Sequence, residues 1–171
     1  MRRWSPLLLV VAAQFALLAA LPVGNVATRL LGVEITLRTR PTDPFEILSG
    51  HHLQLQYEVE RPESAKAPKE LREGERVFVV VRRDTPAWTF DTVVRDPVCG
   101  DPDRASIRAV WRNQRLILKG PGRIFLPETR RDAVVEAMRE SGGSALVDLK
   151  VRRNGSAAVL RLRAGAEIVG D

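Results

Sequence analysis

His51 and His52 stand side by side in "LSGHHLQLQYEV", residues 48–59, and are the only histidines among 171 residues. An imidazole can ligate a metal or act as a base, and Asp43 and Glu58 are the nearby carboxylates with a plausible reach. The stretch alternates like a β-strand, however, so adjacent side chains point to opposite faces and the two rings do not converge on one ion. No metal site is expected. Ser49 beside His51, or paired with Lys119, has the residue types of a nucleophile and its base. No Gly-x-Ser-x-Gly elbow frames it, so no catalytic residue is assigned, and a membrane-tethered hydrolase with a Ser/Lys or Ser/His site stands as the alternative function. Gly120-Pro121-Gly122 is not followed by the Lys-Ser or Lys-Thr of a phosphate loop and reads as a turn. The single Cys99 excludes an internal disulfide framework and a multi-thiolate metal site. No cofactor is expected.

The elements that would position these residues begin with an apolar N-terminus. Residues 6–23 carry no charge and include one strongly polar side chain, Gln14. A run of that length nearly matches the roughly 20 helical residues that cross a bilayer, and it exceeds the 7–15 of a cleavable signal core. The expectation is a retained anchor in contact with lipid through residues 6–23. Arg2 and Arg3 are expected to stay cytoplasmic, Trp4 to sit at the interface, and everything after the span to be exported. The chain thus divides into a cytoplasmic tip and anchor, residues 1–28, and an exported β-rich domain, residues 29–171.

Beyond the anchor the dominant period is two. "VEITLRTR" places Val33, Ile35 and Leu37 on one face and Glu34, Thr36 and Arg38 on the other. "HHLQLQYEVE" repeats the pattern, with Leu53, Leu55, Tyr57 and Val59 inward and Gln54, Gln56, Glu58 and Glu60 outward. "RVFVVVRR" reads as a central strand and "AWTFDTVVR" as its successor. "IRAVWR" and "RLILKG" form a pair around Asn113 and Gln114, a weakly signalled turn. Two further strands meet near Asn154-Gly155, the strongest hairpin signal in the chain. One segment departs from this period. In "LPETRRDAVVEAMRESGG" Thr129 and Asp132 fit a helix cap, Ala133, Val134, Ala137 and Met138 fall at helical spacing, and Gly142-Gly143 ends the run. The fold class is therefore an N-terminal transmembrane helix followed by a mainly-β (α+β) domain with one amphipathic helix.

The charge balance is 27 Lys and Arg against 21 Asp and Glu, a net +6, with the basic residues scattered in ones and twos. Without a basic stripe interleaved with aromatic rings, nucleic-acid binding has no support.

Several separated features occur together and in order. Leu37, Arg38, Thr39, Pro41, Asp43 and Pro44 precede Gly50, Leu55, Tyr57 and Glu58, and Pro127-Glu128 follows at the start of the helix. In this order the chain resembles the GDYXXLXY domain family over nearly its whole length. His51 stands where the family's signature has Asp, His52 where it has its first Tyr, and Ser49 where Arg is common. The resemblance implies a membrane-anchored exported protein with no established activity, associated with a multi-spanning membrane protein. It favours an accessory or binding subunit over an enzyme. The segment from Pro41 to Tyr57 is the expected binding surface, with Asp43, Gly50, His51, Tyr57, Glu58 and Glu128 as its motif residues.

Overall fold

The computed structural model describes residues 5–40, 48–49, 52–61, 71–125 and 127–170. Helix α1 (Ser5–Leu31) carries apolar side chains on every face, and Leu8, Leu9, Phe15, Leu17, Leu18 and Val23 are all exposed. A helix apolar all round has no core-facing stripe and calls for an apolar surrounding. From Leu8 to Leu31 it is long and apolar enough to cross a membrane. Among the described residues its last turns pack on β9 (Leu146–Val151) and β10 (Ala157–Ala164), with Thr28 buried.

Gly32 alone separates α1 from strand β1 (Val33–Arg38). Its N–H donates to the Thr28 carbonyl at 3.0 Å. A Cβ there would stand 2.6 Å from that oxygen and 2.9 Å from the Val151 nitrogen, so only glycine lets the helix end lie against the β9 backbone.

Among the described residues the β-domain has three antiparallel sheets. The first runs β1-β9-β10-β11, with β11 at Glu167–Gly170. The second joins β2 (Leu48–Ser49), β3 (His52–Gln54) and β8 (Arg123–Phe125). The third runs β5-β4-β6-β7, comprising Thr89–Val94, Arg76–Arg82, Arg104–Arg112 and Arg115–Leu118. Helix α2 (Glu128–Glu140) packs Val134, Ala137 and Met138 inward and lies over β10 and β11. All three sheets and α2 share one core that includes Ile35, Tyr57, Val79, Ile107, Met138 and Leu149. The mainly-β domain with one amphipathic helix behind an apolar helix is the expected fold class.

Several local expectations need correction. Residues 52–60 are not one strand. The inward set Leu53, Leu55, Tyr57 and Val59 is buried as alternation requires, yet β3 ends at Gln54 and Glu58–Glu60 is a 3₁₀ turn. The backbone changes partners along the way: Leu53 pairs with Ile124, Leu55 donates to the Gly122 carbonyl, and Tyr57 bridges to Thr39. Glu60 does not face outward, because its carboxylate turns in to accept backbone N–H groups from Tyr57 and Leu118. Thr129 caps nothing. The helix starts one residue earlier, at Glu128, behind Pro127.

The two hairpin signals also exchange character. Asn113 and Gln114 both adopt left-handed conformations, φ 51° and 58°, and make the tight two-residue turn between β6 and β7. At Asn154-Gly155 the connection is longer, residues 152–156. Its tip is pressed onto the third sheet: the Arg108 N–H donates to the Gly155 carbonyl, and a Cβ on Gly155 would collide with the Phe78 ring.

Candidate functional site

The described signature residues lie mostly at one seam, where β1 of the first sheet meets the segment after β3. Thr39 pairs with Tyr57 in an isolated antiparallel bridge, and the Arg40 N–H donates to the Gln56 carbonyl at 2.8 Å. Thr39 is buried. Its hydroxyl accepts the Ala145 N–H at 2.8 Å and donates to the Ala145 carbonyl at 3.2 Å, tying the end of β1 to the entry of β9. The Tyr57 ring is fully buried, and its hydroxyl donates to the Pro121 carbonyl at 2.7 Å. Burial, then the Glu60 carboxylate, raise that phenol well above its ordinary value, so it stays a neutral donor. Leu37 and Leu55 fill the core on either side. Leu37, Thr39, Leu55 and Tyr57 thus fasten the first sheet to the turn at Gly120–Gly122.

Glu60 completes the seam from within. Its two oxygens accept from Leu118 N at 2.9 Å and Tyr57 N at 3.0 Å. Burial raises its carboxyl above the usual range, against the lowering influence of these hydrogen bonds and of Arg115 and Arg40.

The same seam opens outward into a groove of about 300 Å³ lined by Arg38, Glu58, Arg61, Trp88 and Phe90. Trp88 is held from behind, since its backbone N–H donates to the Thr36 carbonyl at 2.8 Å, and the Arg83 guanidinium lies 5.5 Å from its ring centre. An apolar floor between charges of both signs has the composition of a protein-contact surface, where aromatic and Arg side chains supply most of the binding energy.

Of the expected motif residues, Glu58 is exposed in this groove and Tyr57 supports it from inside the core. Glu128 is exposed at the first turn of α2, next to Pro127, which lines a different cavity. Asp43, Gly50 and His51 lie outside the described residues, as do Arg2, Arg3 and Trp4. So does the side chain of Ser49, which leaves the Ser/Lys and Ser/His pairs without geometry; Lys119 is exposed, its N–H donated to the Arg108 carbonyl. Among the described residues no cluster of three or more His, Cys, Asp or Glu side chains is placed to hold a metal.

Sequence reasoning missed a second polar centre. On the outer face of the first sheet, buried Asp148 accepts from Thr36 at 2.7 Å, from Arg163 at 2.7 Å and from Arg161 Nε. Arg161 also reaches Glu34, which Lys150 approaches at 3.5 Å. A bulge between Val159 and Arg161 sets Arg161 opposite Asp148. An acid inside "ALVDLKV" followed by alternating arginines in "VLRLR" was the available signal.

Among curated proteins and solved structures, none matches this chain significantly. The sequence pattern of one family, described as GDYXXLXY protein, matches residues 14–162, which takes in most of α1, the second and third sheets, α2, and the first sheet as far as Leu162 in β10, short of β11. The chain belongs to the GDYXXLXY protein family.

Proposed function

We propose that this protein is a membrane-anchored accessory or binding subunit that docks its β-domain onto a multi-spanning membrane protein. The N-terminus is cytoplasmic and the domain is exported. The observation that carries this reading is the junction at Gly32, which joins an apolar helix to the domain with no linker and fits its end against the β9 backbone. A tether built only for retention would tolerate a flexible linker; a rigid junction supports presenting one face of the domain to a neighbour in the same membrane. The groove of Arg38, Glu58, Trp88 and Phe90 is the docking surface. Asp43 belongs to the first half of the signature and Gly50 and His51 to the second, and all three remain proposed contacts of the same surface.

Site-specific photo-crosslinking in intact membranes tests this. A crosslinker at Glu58 or Thr89 should capture a membrane protein with several spans, whereas one at Asp103 should not. Equal labelling from both places, or carbonate-resistant protein that yields no adduct from the groove, overturns the docking reading.

A further inference from the structure

Two carboxamides interrupt the apolar surface of α1. Gln14 and Asn25 are both exposed, and among the described residues neither meets a hydrogen-bond partner in this chain. They stand eleven residues apart, which at 3.6 residues per turn brings the second to within about 20° of the face that carries the first. Val11 and Leu18 share that face, so Val11, Gln14, Leu18 and Asn25 follow the steps of three, four and seven residues that mark a helix–helix seam. Pro22 adds a third polar group. It has no N–H, so inside α1 it leaves the carbonyl of Leu18, four residues earlier, without its usual helical donor. That carbonyl lies on the seam between the two carboxamides. The opposite face, at Ala16 and Val23, carries apolar side chains.

Depth decides what these groups need. Counted from Leu8, the start of the candidate span, Gln14 lies about 9 Å and the Leu18 carbonyl about 15 Å into a hydrocarbon layer about 30 Å thick. Neither reaches headgroups or water from there. A lipid chain offers no donor or acceptor, whereas the polar side chains of another helix offer both.

The β-domain decides whose helix it is. Thr28, the next residue along the seam, is buried and donates to the Gly24 carbonyl at 2.8 Å, and the last turns of α1 pack on β9 and β10. The domain therefore overhangs the seam side of α1. A second copy docked through the same stripe would bring its own domain into that volume. A helix that ends or turns at the level of Asn25 fits beneath it.

We infer that the stripe from Val11 to Asn25 docks a transmembrane helix of the multi-spanning partner, one that carries hydrogen-bonding side chains at matching depths and ends under the β-domain. This rests on the proposed function, and it adds to the docking groove a second contact inside the bilayer.

The test places a benzophenone side chain at Val11 or Leu18 on the seam, or at Ala16 or Val23 on the opposite face, of the full chain in intact membranes. Both seam positions should crosslink to one protein with several spans, and the opposite face should give several-fold less. Gln14→Leu and Asn25→Leu should each lower the seam yield about three-fold, the worth of one average interhelical hydrogen bond. Both substitutions make α1 more apolar, so the span is kept and carbonate resistance verifies it. Ala16→Leu should leave the yield unchanged. Equal yields around the helix, or seam adducts that both Leu variants leave intact, overturn the proposal. So does an adduct made of two copies of this chain. If a crosslinker at Glu58 captures the partner and the seam does not, this inference fails and the groove stands; the reverse result sinks the groove and leaves the seam. Protein stripped by carbonate overturns the span beneath both.

Discussion

The Tyr57 hydroxyl donates to the Pro121 carbonyl at 2.7 Å, and both residues are buried. The signature tyrosine therefore acts as a fastener between the 3₁₀ turn and the Gly120–Gly122 turn. Tyr57→Phe leaves that carbonyl buried without its donor and should cost about 1–3 kcal/mol of unfolding free energy. Tyr57→Ala adds a cavity and should cost about 3–5 kcal/mol. Chemical denaturation of the full chain in detergent measures both, and a Phe variant as stable as wild type would contradict the assignment.

Gly32→Ala places a methyl against the Thr28 carbonyl and the Val151 nitrogen, both backbone atoms that cannot rotate away. The helix end must lift off β9. Limited proteolysis should then cut near residues 28–34 many times faster than in wild type while the β-domain core stays resistant. Unchanged cleavage would mean the junction is not tight.

Asp148 gives the domain an acid-sensitive clasp. Burial pushes its carboxyl upward, but hydrogen bonds from Arg161, Thr36 and Arg163 together hold it below the ordinary value. The folded state therefore binds fewer protons than the unfolded one. The stabilisation is complete above the ordinary carboxylate range and is lost as pH falls through the folded value. Unfolding free energy measured from about pH 6 to about pH 3 should drop, and Asp148→Asn should flatten that drop. At neutral pH the substitution should cost about 1–3 kcal/mol, because the arginine partners are themselves partly solvated.

Glu60 works in the opposite sense. Its carboxyl is raised, chiefly by burial, so the folded state binds more protons than the unfolded one just above pH 4.5. Its contribution to stability therefore declines as pH rises from the ordinary carboxylate value through the folded one. Glu60→Gln should remove that decline and cost about 1 kcal/mol, since an amide has one acceptor oxygen for the two N–H groups of Tyr57 and Leu118. A pH profile identical to wild type would contradict the buried placement.

Binary pattern made the core legible residue by residue: Ile35, Leu37, Leu53, Leu55, Tyr57 and Val59 are all buried as alternation requires. It could not reveal that the chain from Leu53 to Val59 changes hydrogen-bond partners three times, because period two reports which way side chains face and not which strand lies alongside. Turn chemistry misled in a similar way. Asn154-Gly155 has the composition of a two-residue turn, but its tip is fixed by contact with Phe78 and Arg108, which are distant in sequence. Asn113-Gln114 has a weaker composition and makes the tight turn. Glu58 and Glu60 differ for the same reason: both are acids at outward positions by pattern, and only the approach of Leu118 turns Glu60 inward. β11 escaped notice because "EIVG" is too short to show a period.

With one glycine between helix and sheet, α1 and the β-domain have no slack between them. Seated in a bilayer, the pair moves as a lever about 40 Å long on its helical arm. A change of bilayer thickness that alters the tilt of α1 would swing the Trp88 groove through the same angle. What the domain faces would then be set partly by the membrane around it.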